Sequence, residues 1–120
     1  MTPFGQILRD AVERTPGAIG GAFAAADGEM VDAFTARDRD EWAILTAHYG
    51  VVLASLESAF NTLHVGGPEY VVIEHTGYDI LITPVSGGYY ALMALARPAS
   101  ISAGLRALRH ATSQLKKEMS

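Results

Sequence analysis

Between Trp42 and Leu56 the chain carries no charged residue, and the span lies inside a proline-free run from Glu41 to Leu63. That run predicts one long helix, roughly 35 Å at 1.5 Å per residue. Asp38 or Asp40 can cap its start, Glu41 sits in its first turn, and Gly66-Gly67-Pro68 ends it. Leu45, Tyr49, Val52, Leu56, Ala59 and Leu63 form one stripe. Trp42, Leu53 and Phe60 widen it, and Ile44, Ala47 and Val51 carry it further round. A helix that covers one face of a sheet shows charge on its other side; this one shows none until Glu57. A chain of 120 residues is too small to surround such a helix. The apolar surface is wider than one sheet requires, so the helix predicts a partner. Gly50 in its interior marks either a close helix crossing or a local packing need.

A second constraint is the stretch GAIGGAFAAADGEM, Gly17 to Met30. A phosphate-binding loop needs a lysine and a Ser or Thr directly after its glycines. Here Ala22 and Phe23 follow Gly20 and Gly21, and no lysine precedes Lys116. Packing explains the small residues better. Strand alternation places Ala18, Gly20, Ala22, Ala24 and Ala26 on one face and Ile19, Gly21, Phe23 and Ala25 on the other. Both faces are apolar, so the strand is expected to be central, with helices close above and below. Asp27-Gly28 predicts a tight hairpin turn into a second strand, Met30 to Ala36.

The remaining elements follow from periodicity and breakers. Thr2 caps and Pro3 opens a short helix bearing Phe4, Ile7, Leu8, Ala11 and Val12, stopped at Pro16-Gly17. EYVVIEHT, DILITPV and YYALMALA read as three strands joined by short Gly-containing turns, with Pro84 marking an edge or bulge. Tyr70 and Val72 are expected to share a face with Ile80, Ile82, Leu92 and Ala94, opposite Val71, Ile73, Leu81, Met93 and Leu95. Ile101, Leu105, Leu108, Thr112, Leu115 and Met119 stripe a final helix. The expectation is one domain, 1–120, of the α+β class. It has a five-stranded antiparallel sheet in the order helix-strand-strand-helix-strand-strand-strand-helix, one long helix on one face and two on the other.

Charge and composition narrow the function. The net charge is −4 and there is no cysteine, which removes disulfides and thiolate chemistry and fits a reducing compartment. A weakly acidic chain with no basic stripe is a poor nucleic-acid binder. The N-terminus shows no signal-peptide pattern, and no stretch reads as apolar for the 18 or so residues of a membrane span. A cytoplasmic protein without membrane insertion is expected. From Arg97 onward five bases stand against one acid, Glu118. This reads as a solvated helix face suited to the helix dipole, with membrane or partner contact as the alternative.

No catalytic, cofactor-binding or metal-binding set emerges. His48 and Ser55 share a helix face, but no acid orients His48 as a triad requires. Glu74 and His75 point to opposite strand faces, and His64 with His75 lacks further ligands for a metal. Arg37 and Arg39 flank acids in the loop before the long helix, where the plain reading is a solvated mixed-charge loop.

Taken together, PGAIGGAFAAADGEMVDAF, the long apolar helix ending in LHVGG, YVVIEHTGYDILITPVSGGYYALMALA and the final amphipathic helix resemble the Roadblock/dynein light chain family. The resemblance spans nearly the whole chain. It implies a Roadblock/profilin-like sandwich that dimerises through its long helix and middle strand, has no catalytic centre, and regulates a small Ras-like GTPase or serves as a scaffold. In bacteria similar single-domain proteins act with such GTPases in polarity, motility or signalling. Carried onto this chain, the homodimer interface comprises Trp42, Leu45, Tyr49, Val52, Leu53, Leu56, Ala59, Phe60, Leu63, Val71 and Ile73. Arg37, Arg39, His48, Ser55 and Glu57 are candidate GTPase contacts. The alternatives are a small-molecule sensor or scaffold domain without a GTPase, and a hotdog-type thioesterase. The last needs an acid or His on its central helix; only His48 is there, and the final helix argues against it.

Overall fold

In the computed structural model, which describes Met1 to Ser120, Thr2 caps α1 (Pro3–Glu13) by accepting from the Gly5 amide. There follow β1 (Ala18–Ala24), β2 (Met30–Thr35), α2 (Arg39–Leu63), β3 (Val71–Glu74), β4 (Tyr78–Pro84), β5 (Tyr90–Ala96) and α3 (Ile101–Met119). The five strands form one antiparallel sheet in the order β2-β1-β5-β4-β3. Leu8 and Val12 of α1 and Leu108 and Leu115 of α3 pack with Phe23, Leu81, Met93 and Leu95 on one face. Trp42 and Leu53 of α2 pack with Ala22, Ile80, Ile82, Tyr90 and Leu92 on the other. This is the α+β layering expected, with α2 alone on its side.

Several local expectations are corrected. β1 is paired on both sides, but β5 is the central strand. The register shifts between Ala18 and Gly20, so Ile19 and Gly20 both lie towards α2, whereas strict alternation separated them. In β3, Val71 pairs with Ile82 and Ile73 with Ile80, which puts Val71 and Ile73 on the α2 face and Val72 on the opposite face. The expected phase was the reverse. The turn after β1 is a five-residue connection, Ala25 to Glu29, closed by the Ala25 amide donating to Glu29 O at 2.9 Å. Gly28 takes the left-handed conformation there (φ 88°), while Asp27 instead accepts from the Glu29 amide. Pro84 ends β4 beyond Val71, where β3 has stopped, so no β3 neighbour is deprived of a donor.

Asp38, not Asp40, caps α2, accepting from the Glu41 amide at 2.9 Å. The helix stops at Leu63, the last residue of the expected run, because His64 turns left-handed. At 25 residues, α2 is long and apolar enough to cross a membrane by length and composition, contrary to the sequence expectation. In this fold one side of it lies on the sheet. The Trp42 indole N–H donates to Gly21 O at 3.1 Å, and the Tyr90 hydroxyl donates to Thr46 O at 2.8 Å. Gly50 serves this packing: a Cβ there would collide with the Tyr90 hydroxyl. Gly20 likewise leaves room for the Trp42 ring, which a Cβ would approach to 2.8 Å.

Asp32 ties β2 to both helices. Its carboxylate accepts from the Thr2 hydroxyl and from Arg39 Nη2 at 3.2 Å. Burial alone would raise its pKa; the Thr2 hydroxyl, the Ala33 amide and Arg39 together overcome that and hold it below the usual carboxylate range. A depressed native pKa adds stability that is present above the unfolded pKa, about 4, and is lost as pH falls through the native value. The stability difference between wild type and Asp32→Asn is therefore expected to be largest near neutrality and to shrink below about pH 4. Urea denaturation at several pH values measures this, and a difference that grows on acidification contradicts it.

Candidate interaction surface

The side of α2 turned to the sheet is Trp42, Thr46, Gly50 and Leu53, each buried and spaced by four, four and three. Two residues expected at an interface are thereby reassigned: Trp42 is 3% exposed and Leu53 2%, both inside the chain's own core. Leu45 and Tyr49 are half-buried and pack beside them. Leu56 and Phe60 are half-buried further along, and Val52, Ala59 and Leu63 are exposed.

The opposite side of α2 is apolar and open. Ile44 is 59% exposed, Val51 66% and Val52 38%. With His48, Ser55 and Ala59 they run at helical spacing along an outward seam without charge. Beyond Leu53 the helix continues for ten residues with none fully buried, and Leu63 and Val65 lie open at its end. Beside the seam runs a groove whose walls are Ala47, Gly50, Val51, Ala54, Ser55 and Ser58 on α2 and Ala26, Asp27 and Gly28 on the turn after β1. Its small side chains admit another backbone closely.

At the sheet margin β3 is an edge strand, paired only with β4. Val71 and Ile73 are half-buried and turned to the α2 layer. The seam and this open edge flank a cluster that the sequence did not disclose. The Tyr49 hydroxyl and His75 Nε2 share a 2.7 Å hydrogen bond, and the His75 ring stacks on Tyr78 at 5.1 Å. Burial, reinforced by Tyr78, raises the pKa of Tyr49, so its hydroxyl stays protonated. The cluster clamps α2 to the β3–β4 end of the sheet.

The chemistry-bearing residues stay apart. His48 Nδ1 donates to Ile44 O at 2.8 Å and the Ser55 hydroxyl donates to Val51 O at 3.0 Å, so each is held by its own helix backbone. No carboxylate orients His48. Arg37, Arg39, His48, Ser55 and Glu57 are all exposed, and Arg39 is also engaged with Asp32. No three His, Asp or Glu side chains converge on a metal-binding position. His48 and Ser55 therefore form no base–nucleophile pair with each other.

No family model matches the chain, and no curated protein sequence matches it. Solved structures do. A Roadblock/LC7 domain from Streptomyces avermitilis superposes with a TM-score of 0.88 at 15% identity, over 95% of each chain. Myxococcus xanthus MglB superposes with a TM-score of 0.89 at 10% identity, covering 99% of this chain and 96% of that one. A structure described as MglB with tetrameric arrangement gives 0.83 at 11% identity, over 93% and 84%. At such identities the likeness is one of architecture, and the architecture is that of the Roadblock/LC7 fold.

Proposed function

We propose that this chain is a non-enzymatic homodimeric regulator or adaptor of a small Ras-like GTPase, acting in the cytoplasm in bacterial polarity, motility or signalling. The observation that carries the reading is the uncharged outward seam of α2, Ile44 to Ala59, beside the open edge of β3. An apolar seam of this length on so small a chain is an interaction surface. Two copies that join their seams and β3 edges bury Val51, Val52, Ala59 and Leu63 and extend the sheet. The tetrameric arrangement described for MglB supports self-association as a use of this architecture. The GTPase reading draws on the Roadblock resemblance. Its contacts would lie along the rim of the paired helices, at Arg37, His48, Ser55 and Glu57, with Arg39 already bound to Asp32.

The test is capture of a GTPase on the immobilised protein from native lysate loaded with a non-hydrolysable GTP analogue or with GDP. Recovery of a Ras-like GTPase in one nucleotide state is expected. Arg37→Ala should weaken capture by less than about tenfold, as rim charges do, and leave the dimer intact. Calorimetry should detect no GTP binding to the chain alone. Recovery of no GTPase in either state contradicts the reading and favours a scaffold or sensor role.

A further inference from the structure

The layer opposite α2 carries the other sign of charge. α1, its cap Arg14 and α3 hold six of the nine Arg and Lys but only three of the thirteen Asp and Glu, in a chain whose net charge is −4. The imbalance concentrates on the solvent crest of α3. From Ile101 to Lys117 every exposed residue is Ser, Arg, His or Lys: Ser102, Arg106, Arg109, His110, Ser113, Lys116 and Lys117. Arg106 to Lys117 spans about 16 Å of helix. Four acids lie nearby, and only one of them forms an ion pair on the crest. Glu13 pairs with Arg9 at 3.1 Å, Asp10 shares a groove with Arg14, Arg106 and His110, and Glu118 borders Phe4, Val31 and Tyr89 on another side. Glu69 reaches Arg109 at 3.8 Å, but leaves Arg106, Lys116 and Lys117 without an acidic partner.

We propose that the α3 crest adsorbs to an anionic lipid surface, holding the protein at the membrane without insertion. Charge complementarity identifies the partner, and the lack of any exposed apolar residue on α3 from Ile101 to Lys117 chooses among anions; the exposed aromatic beside it, Tyr70, lies under the Arg109 guanidinium, 5.5 Å from its ring centre. A protein interface is centred on aromatic, apolar or Arg anchors seated in desolvated pockets. A headgroup surface requires only clustered Lys and Arg near its plane. Because α3 and α2 lie on opposite faces of the sheet, adsorption through α3 leaves the α2 seam free. The inference stands on the single chain and does not require the dimer.

Vesicle co-sedimentation tests it, using phosphatidylcholine with one-third phosphatidylglycerol against phosphatidylcholine alone. Binding to the anionic vesicles only, and its loss on raising salt from about 0.05 to 0.5 M, are expected. The triple variant Arg106→Glu, Lys116→Glu, Lys117→Glu should lower partitioning by at least about tenfold. These side chains are exposed, so circular dichroism should be unchanged; the corresponding Gln variant should show a smaller loss and guards against misfolding. Binding to neutral vesicles, no binding to either, or binding untouched by the triple variant overturns the proposal. Equal, variant-sensitive binding to short duplex DNA also overturns it, in favour of a nucleic-acid surface.

Discussion

Replacing Val51 and Val52 together by Asp is expected to yield a folded monomer. Both side chains are exposed on the isolated chain, at 66% and 38%, and neither belongs to a core cluster. The substitutions therefore remove little from the fold. In a dimer joined along α2, each adds a carboxylate to a surface that offers no partner, since no charge occurs between Trp42 and Leu56. Leaving a charge unpaired at a buried contact costs about 3–5 kcal/mol, enough to raise the dissociation constant about a hundredfold or more. Leu56→Asp acts in the same direction but is half-buried, so it also perturbs the monomer. Sedimentation velocity gives the association state and circular dichroism the fold. A double variant that associates like wild type places these valines away from the interface.

Gly50→Val is expected to be strongly destabilising. The added Cβ meets the Tyr90 ring, 2.9 Å from Cζ and 3.2 Å from Cε1. Tyr90 is 1% exposed and its hydroxyl is bonded to Thr46 O, so withdrawal of the ring leaves a buried hydroxyl unpaired. Overpacking costs about 1–3 kcal/mol and the lost hydrogen bond a further 1–3. The better helix propensity of a non-glycine residue offsets less than about 1 kcal/mol. A net loss of about 3 kcal/mol is expected by chemical denaturation. Combining Gly50→Ala with Tyr90→Phe should recover part of the Gly50→Ala loss, because removing the hydroxyl clears the atom nearest the new Cβ. Independent, additive losses would show that this contact is not the cause.

The elements legible from sequence are those decided locally. Thr2-Pro3 and Asp38 cap helices through their own neighbours, and the Gly-containing turns separate strands whatever those strands pair with. What depends on pairing was not legible. The faces of Val71 and Val72 follow from β3 meeting β4 in one register out of two, and a four-residue apolar strand reads alike in both. The rotation of α2 was hidden for a related reason. An apolar helix without an amphipathic phase does not announce its inward side. That side is betrayed by Thr46 and Gly50, small residues between Trp42 and Leu53 that make room for Tyr90, whereas counting large apolar residues assigned Trp42 and Leu53 outward and underweighted Ile44 and Val51. The Tyr49–His75–Tyr78 cluster joins residues 26 and three positions apart across two elements, which no local pattern encodes.

Everything proposed for the function rests on two copies joining through α2. Sedimentation equilibrium of the unmodified protein, over about 1 to 50 μM, tests this most directly. The apolar seam predicts a single species of twice the chain mass that persists through dilution, because an obligate interface leaves little free protomer at these concentrations. A mass equal to one chain across the whole range would contradict the account.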